Sequence, residues 1–316
     1  MARSKVLRFQ QDIPATWQEA LQQYLWFKQA EGLREITLKG HKDVISLFFK
    51  RHPEAYNSTK LKPSLYAFMG EPVKPATYNI RRNYLKQFFA WGINEGFFTE
   101  NPLNSLKKRK DCGRVIQLDV EILSRLLSTI DKTTFAGLRD YALILLTLDS
   151  GIRPSEAFSL MPSDVNLSGL EVCVRSDVAK TKMPRTLPVS PITAQTIKKL
   201  LASKHPEWSH NTPVFCTVEG KTLNRHSWND RFEYYSRKIG IKIRPYDLRH
   251  AFALQFLRNG GHALALQRTL GHTDLTMTKR YVSLTQDDLK EQHALASPLN
   301  TLLPRKNRLR NLKARE

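Results

Sequence analysis

The stretch TLGHTDLTMTKRYVS, residues 269–283, places a histidine, two cations and a tyrosine close together in the chain. His272 follows a glycine, and Tyr281 lies nine residues after it, beside Lys279 and Arg280. A free phenol has a pKa of about 10, so an isolated tyrosine is a poor nucleophile at neutral pH. Nearby positive charge favours the phenolate and stabilises the charge that develops on phosphorus oxygens. The stretch therefore indicates either a helix that happens to carry a tyrosine or a nucleophile aimed at a phosphate.

Two arginines stand where their side chains can be held firmly. In SGIRPSEAFSL, Arg153 follows a glycine-led turn, and the residues up to Glu156 indicate that a new helix opens at once. In RPYDLRHAFALQFL, Tyr246 and Arg249 are three residues apart and share one helix face, whereas His250 is turned by roughly 100°. Arg153 is either paired with Glu156 or forms a phosphate clamp with Arg249. His250 is more typical of a packing residue, or of one that supports a catalytic residue, than of a direct participant.

A further cation comes from a predicted β-hairpin. LEVCVRS and TLPVS indicate two short strands around the basic segment DVAKTKMPR. Lys180 lies where the first strand gives way to the hairpin, eight residues before Pro188. A lysine there is a plausible proton donor if a phosphate and other cations tune its pKa. Lys182 and Arg185 lie on the same turn, so position alone leaves the choice among the three open.

Helices must position most of these side chains. In the first third, apolar residues recur at helical spacing after a capping box at 16–19, over about 37–50, and over 76–91, where Gly92 is the predicted stop. Further along the chain, Asp119 is the predicted N-cap of the helix that follows it. The later helices are predicted at 135–148, 193–203, 226–238, 246–259, 262–270 and 275–281. The pattern predicts a mainly α protein with a small β-sheet, in two domains.

Charge gives the strongest compositional signal in these 316 residues. Fifty Lys and Arg against 29 Asp and Glu leave a net charge of +21. Such an excess favours a polyanionic partner, with nucleic acid ahead of an anionic membrane surface, because no amphipathic anchor is evident. A hydrophobic content of 41% suits a globular protein, and no apolar run approaches the roughly 20 residues of a membrane span.

Three sequence features bear on compartment and cofactors. The start MARSKVLRFQQDIP has no apolar signal-peptide core, and the three cysteines are far apart and odd in number. Both features predict a cytoplasmic protein without a disulfide framework. The sequence has no CxxC or HExxH spacing and neither GxxxxGK[ST] nor GxGxxG, so we expect no metal and no nucleotide cofactor.

The basic run LKKRKDCGR at 106–114 is predicted to be a linker that lies against a DNA backbone. On the preceding predicted helix, three cations face either phosphates or solvent. The side chains predicted to contact DNA are those of Arg81, Arg82, Lys86, Lys107, Lys108, Arg109, Lys182 and Arg185.

Taken in order, these motifs resemble those of the tyrosine recombinases, also called phage integrases. The shared pattern is an arginine in SGIRPSE, a hairpin lysine, DLRHxF, LGH, and a tyrosine nine residues past that histidine. The resemblance covers nearly the whole chain and implies four regions. They are a SAM-like helical core-binding domain at 12–105, a basic linker at 106–114, a mixed α+β catalytic domain at 115–296 and a basic C-terminal tail at 297–316.

The resemblance implies a site-specific recombinase or integrase that cuts and rejoins DNA through a 3′-phosphotyrosyl link, without metal or ATP. The catalytic set that it implies is Arg153, Lys180, Tyr246, Arg249, His272 and Tyr281. The two arginines would clamp the scissile phosphate, the lysine would protonate the departing 5′-oxygen, and His272 would hydrogen-bond a non-bridging oxygen. Tyr281 would attack phosphorus. The resemblance also implies a role in DNA integration or in mobile elements. Family members work as tetramers on two duplexes, so the resemblance implies a homotetramer, with residues after about 284 docking on a neighbouring protomer.

One position departs from the family pattern. The family usually has His at the first position of HxxR, where this chain has Tyr246. A neutral phenol can donate a hydrogen bond to a phosphate but is a poor proton acceptor. The proton acceptor is then His272, His250 or solvent. A type IB topoisomerase and a DNA-binding regulator that has lost catalysis are the two alternative functions.

Overall fold

The computed structural model describes residues 13–56, 59–111, 118–179, 181–209, 211–279, 281, 290 and 293–302. The chain divides into two compact units, residues 1–114 and 115–316. Within the described ranges, no helix combines the length and the apolar character that a membrane crossing requires. The predicted fold class, mainly α with a small β-sheet, is confirmed.

The N-terminal unit is helical. Its elements are α1 (Trp17–Ala30), α2 (Glu35–Arg51), a short 3₁₀ helix (Pro53–Ala55), α3 (Leu61–Gly70) and α4 (Pro75–Asn94). An aromatic core joins them, in which Tyr24, Phe48, Phe49, Phe88 and Phe89 are fully buried. The ring pairs meet mainly edge to face, the arrangement that aromatic quadrupoles favour.

The start of α1 follows its sequence signal, but the predicted stop of α4 is wrong. Thr16 caps α1, because its hydroxyl accepts the backbone N–H of Glu19 at 3.2 Å. Gly92 lies inside α4 and does not end it. A β-carbon at this glycine would come within 2.5 Å of the Phe98 ring, so the glycine allows the chain after α4 to pack against the helix.

Helix α3 was not predicted. Pro63 interrupts its apolar pattern in the sequence. Because Pro63 falls in the first turn of α3, its missing N–H removes no intrahelical hydrogen bond.

The C-terminal unit combines helices with a small sheet. Its first elements are α5 (Val120–Thr129), α6 (Phe135–Ser150), α7 (Pro154–Phe158), a 3₁₀ helix (Pro162–Asp164), β1 (Val165–Asn166), β2 (Glu171–Val174) and β3 (Arg185–Pro188). The later elements are α8 (Pro191–Ala202), α9 (Arg225–Ile239), α10 (Pro245–Arg258), α11 (Ala263–Leu270), α12 (Thr276–Lys279) and α13 (Leu299–Leu302). Asp119 caps α5 as predicted, because its carboxylate accepts the backbone N–H of Ile122 at 2.9 Å.

The sheet is antiparallel, in the order β1–β2–β3. Val172 of β2 lies opposite Val165 of β1 and Leu187 of β3. Val172 and Leu187 are fully buried, so one face of the sheet closes the core of this unit. The two predicted strands are confirmed, the first with shorter bounds and the second beginning one residue earlier and ending two residues earlier than predicted. β1 is an additional strand of two residues.

Helix α6 runs through the middle of the C-terminal unit and packs against α8 and α10. It is predominantly apolar, and the hydroxyls of Thr147 and Ser150 donate to carbonyls of their own helix, so these polar side chains are satisfied inside the core. Gly151, in the left-handed conformation with φ +63°, ends α6, and Gly271, with φ +62°, ends α11. These two helix ends and the start of α10 frame the candidate site.

Candidate active site

Arg249 is the centre of a cluster formed by three elements of the C-terminal unit. It lies in the second turn of α10, and only 1% of its surface is exposed. Its guanidinium donates to the carbonyl of Gly151 at the end of α6 and, at 2.8 Å, to the carbonyl of Leu270 at the end of α11. Helix C-termini present unsatisfied carbonyls with partial negative charge, so they compensate a buried cation.

The charge of Arg249 persists in this setting. Burial, reinforced by the positive charge of Arg153, lowers the pKa of the Arg249 guanidinium to about 10. The group therefore remains protonated at neutral pH. A fixed and protonated guanidinium is suited to binding an anion.

Arg153 belongs to the same cluster. It stands immediately before α7 and donates to the carbonyl of Gly271 at 3.2 Å. It also pairs with Glu156 at 3.0 Å, so the interpretation of Arg153 as the partner of a carboxylate is confirmed. The pairing does not remove Arg153 from the cluster, because its second contact joins it to the loop that carries His272.

Glu156 sits between two arginines. Its carboxylate is 1% exposed and accepts from Arg153 and, at 2.6 Å, from Arg185 of β3. Burial alone would raise the pKa of the Glu156 carboxyl, but the hydrogen bond and charge of Arg185 and the charge of Arg153 outweigh burial and hold the pKa below its ordinary value. Arg185 also donates to the carbonyl of Thr269 at 3.0 Å, which ties β3 to α11.

His272 lies one residue past the end of α11 with both ring nitrogens engaged. Nδ1 is 3.0 Å from the Thr278 hydroxyl, and Nε2 is 3.4 Å from the Arg249 guanidinium. Burial, and then the positive charges of Arg249 and Arg153, lower the pKa of His272 to about 4. The imidazole is therefore neutral at neutral pH. Since a guanidinium can only donate, Nε2 is the acceptor and the proton lies on Nδ1.

Tyr281 follows α12, and its hydroxyl contacts His250 of α10 at 2.5 Å. Its backbone N–H donates to the carbonyl of Thr278 at 3.0 Å, so the residue that holds His272 also holds the tyrosine. Tyr246 stands one turn before His250, with their ring centroids 4.8 Å apart, and is 44% exposed. Tyr281 is thus joined to the arginine cluster through Thr278 on one side and through α10 on the other.

The remaining predicted residues have different placements. Lys180 and Arg280, and the side chain of Lys279, lie outside the described residues. Lys182 is exposed on the hairpin and has a positive φ of 56°. Arg185, expected to contact DNA from the same hairpin, instead pairs with buried Glu156.

Of the residues in the N-terminal unit that were predicted to contact DNA, Arg81 does not lie on the surface as expected. Its side chain is buried, pairs with Glu71 at 2.7 Å and lies 4.4 Å from the centre of the Phe68 ring. This residue faces the inside because a carboxylate and an aromatic ring both compensate its charge. Arg82 donates to the carbonyl of Leu106, and Lys86 is half-buried.

The segment 106–111, which contains four basic residues, is held to α4 by hydrogen bonds. Asn79 donates to the carbonyl of Arg109 and accepts its N–H, both at 2.9 Å, and the Tyr78 hydroxyl donates to the carbonyl of Lys107. The Arg109 guanidinium lies 3.9 Å from the centre of the Tyr78 ring. Lys107 and Lys108 are exposed, while residues 112–114 lie outside the described residues.

Comparison with known proteins decides the family. A family model described as the phage integrase family matches residues 117–287, more than half of the chain. The chain belongs to the phage integrase family.

Two relatives within this family extend the comparison. The chain is 29% identical to tyrosine recombinase XerC of Proteus mirabilis over 231 residues, covering 72% of this chain and 74% of that protein. It is 27% identical to tyrosine recombinase XerD of Ralstonia nicotianae over 300 residues, covering 90% of this chain and 96% of that protein. This member of the phage integrase family is thus a site-specific recombinase that breaks and rejoins DNA strands. The topoisomerase and regulator alternatives are not favoured.

Solved structures agree on the fold. The Tn1549 transposon integrase in complex with transposon right end DNA superposes with a TM-score of 0.71 at 19% identity, covering 88% of this chain and 99% of that chain. The lambda integrase dimer bound to a COC′ core site gives 0.67 at 17% identity, covering 84% of this chain and 77% of that chain. At these identities the likeness establishes the phage integrase fold alone.

Proposed function

We propose that this recombinase cleaves DNA by attack of Tyr281 on a phosphodiester held by Arg153, Arg249 and His272. The observation that carries the proposal is the convergence of Arg153, Arg249 and His272, which are distant in sequence, around the ends of α6 and α11. The Tyr281 hydroxyl contacts His250, the residue next to Arg249 on α10. Arg249 and Arg153 supply the positive charge that balances the charge developing on the non-bridging oxygens. His272, neutral in the absence of DNA, is oriented by Thr278 toward the same place.

The reaction conserves the energy of the broken bond. The Tyr281 hydroxyl gives its proton to an acceptor (His272, His250 or solvent) as its oxygen bonds to phosphorus. The bond from phosphorus to the 5′-oxygen breaks, and the 5′-oxygen takes a proton from a donor, which we assign to Lys180 by resemblance to the family. The product is a 3′-phosphotyrosyl link and a free 5′-hydroxyl. A 5′-hydroxyl from another strand reverses the step, so rejoining requires no ATP. The basic surface at Lys107 and Lys108 supports DNA contact by the N-terminal unit.

The test of the nucleophile uses a nicked suicide duplex, which loses a short piece after cleavage and so traps the covalent complex. Wild-type protein should become linked to the DNA, as seen by a shift on a denaturing gel. Tyr281→Phe removes only the hydroxyl and should abolish the covalent product while leaving DNA binding intact. Continued trapping by Tyr281→Phe would disprove the assignment.

We further propose that the enzyme acts in the cytoplasm as a homotetramer on two duplexes at specific sites. We also propose four regions in its chain, bounded at 12–105, 106–114, 115–296 and 297–316. The odd number of separated cysteines supports the reducing compartment. The tetramer and the domain limits rest on the family resemblance. Deleting the residues after Pro298 should weaken assembly and strand exchange more than binding to a single site, as measured by gel mobility of the complexes. Equal loss of both would contradict the proposed docking of the tail.

A further inference from the structure

The hydroxyl of Tyr281 has a specific partner on α10. Nδ1 of His250 lies 2.5 Å from that oxygen, and both side chains are half-buried. The Tyr281 ring packs against a small apolar cluster that includes Phe252, Leu266 and Leu270. The phenol is therefore held on two sides, by apolar contacts on its ring and by an imidazole at its oxygen.

The imidazole is itself oriented by Tyr246. These residues are four apart on α10 and so lie on the same face, one turn from each other. The rings meet edge to face, with an interplanar angle of 78°. Tyr246, His250 and Tyr281 thus form a row of three rings at the surface of the catalytic unit.

We propose that His250 is the proton acceptor for Tyr281 during DNA cleavage and the proton donor during rejoining. This inference rests on the proposed role of Tyr281 and deepens it. As the Tyr281 oxygen bonds to phosphorus, its proton moves to Nδ1 of His250, and the bond to the 5′-oxygen breaks with protonation of that oxygen by a separate donor. In the reverse step the imidazolium returns its proton to the departing phenolate.

The other candidate acceptors are unsuited to this step. Tyr246, at the position where the family usually has histidine, is a phenol whose neutral form accepts protons poorly. His272 directs its accepting nitrogen at the Arg249 guanidinium and uses Nδ1 for Thr278. Burial and two arginines lower the pKa of His272 to about 4, so protonation of this ring is unfavourable.

The surroundings of His250 suit a transient positive charge. Two phenols, those of Tyr246 and Tyr281, are among the groups in contact with its ring. The neighbouring Arg249 guanidinium is turned toward the carbonyls at the ends of α6 and α11. An imidazolium formed here during cleavage would lie close to the negatively charged DNA backbone, which stabilises it.

The test replaces His250 by asparagine, whose amide occupies the place of Nδ1 and keeps a hydrogen bond to the phenol but cannot take its proton. Single-turnover trapping on the suicide duplex should slow by about 10²- to 10⁴-fold, the usual contribution of a general base. DNA affinity and the thermal midpoint should stay unchanged. The trapping rate of the wild type should rise with pH and should level off within the range of pH 5 to 8, in which an imidazole acceptor loses its proton. His250→Asn should instead rise continuously toward the pKa of a phenol, about 10.

A second substrate separates proton acceptance from proton donation. In a duplex whose scissile 5′-oxygen is replaced by sulfur, the leaving group needs no proton. The His250→Asn defect should persist undiminished on this duplex, whereas the defect of Lys180→Ala should largely disappear. Full rescue of His250→Asn by the sulfur duplex would overturn the proposal, because it would place His250 on the leaving-group side.

Two controls keep the outcomes distinct. His250→Gln serves as a second variant if the asparagine variant is unstable, and it should show the same loss of the pH plateau. A wild-type rate and pH profile in either variant would overturn the assignment of His250. With that outcome, the assignment of Tyr281 as the nucleophile would still stand if Tyr281→Phe is inactive. Trapping by Tyr281→Phe would disprove the proposed function itself.

Discussion

At the level of single residues, the proposed phosphate clamp brings several positive charges together before any DNA is bound. Arg153, Arg185 and Arg249 lie around one loop, and their charges repel one another. Glu156 neutralises two of them, and the carbonyls at the ends of α6 and α11 hold the third. Because the guanidinium groups are fixed in advance, the proposed binding of a phosphate would need little reorganisation.

Because His272 is neutral in the folded chain, we expect the stability of the protein to fall at acidic pH. Its pKa of about 4 in the folded chain lies below the ordinary 6.5, so an unfolded chain takes up the proton first as the pH falls. The stabilisation from this residue should be complete above about pH 6.5 and should be lost as the pH falls toward 4. We expect the thermal midpoint of wild type, without DNA, to fall more steeply over this range than that of His272→Gln. Parallel curves for the two proteins would contradict the lowered pKa.

At the level of elements, two helices end in left-handed glycines that deliver their carbonyls to Arg249 or its neighbours. Gly151 is the tighter case, since a β-carbon there would lie 2.4 Å from the Phe252 ring and 2.7 Å from Leu270. Gly240 ends α9 with a similar φ of +73° but has no atom within 4 Å of that position. Comparing substitutions at Gly151 and Gly240 therefore separates the effect of backbone strain from the effect of crowding.

Alanine at the two glycines should therefore have unequal effects. Gly240→Ala should cost about 1–2 kcal/mol of unfolding free energy, from the left-handed conformation alone. Gly151→Ala should cost roughly 1–3 kcal/mol more, because the methyl group overpacks the site. It should also slow cleavage, since the Gly151 carbonyl holds Arg249. Urea unfolding and suicide-duplex trapping measure the two effects, and similar losses for both variants would show that crowding is not decisive.

Arg185 joins three elements of the C-terminal unit. It links β3 to Glu156 of α7 and to the last turn of α11. Arg185→Ala should lose up to about 3–5 kcal/mol, the cost of breaking a buried pair. It should also reduce cleavage by releasing the loop that carries His272.

The N-terminal unit offers a matched control. Glu71 also lies between two arginines, but the Arg51 side chain is 47% exposed there. Arg51→Ala should therefore change the unfolding free energy by only about 0–1 kcal/mol. Equal losses from Arg51→Ala and Arg185→Ala in chemical unfolding would show that burial does not govern these pairs.

At the level of the whole molecule, two units with separate cores carry a large excess of positive charge. The segment 106–111 is bound along α4 by Asn79, Tyr78 and Arg82. It therefore presents Lys107 and Lys108 from an ordered backbone, which would lower the entropy lost in the DNA contact proposed for these two residues.

The contribution of this segment should appear in the salt dependence of binding. Replacing Lys107 and Lys108 by alanine removes two predicted phosphate contacts, so the slope of log K against log salt should become less negative by about 1.8. Lys198 and Lys199, exposed on α8, provide a control pair with the same change of net charge. Fluorescence anisotropy over a salt series measures the slope. The same change of slope in both double variants would assign the effect to net charge and not to local contact.

The sequence by itself determined the fold class, the family, the helix starts at Thr16 and Asp119, and the presence of the motifs around Arg153, Arg249, His272 and Tyr281. These features are local, because capping, periodicity and short motifs depend on neighbouring residues. Only the tertiary structure decided which way the side chains point. It turned Arg81 inward to Glu71 and joined Arg185 to Glu156. It also brought His250, which the helix geometry had marked as a packing or supporting residue, to the Tyr281 hydroxyl. Such pairings join residues far apart in the chain, and the balance between burial and compensating charge that selects them exists only once the elements have packed.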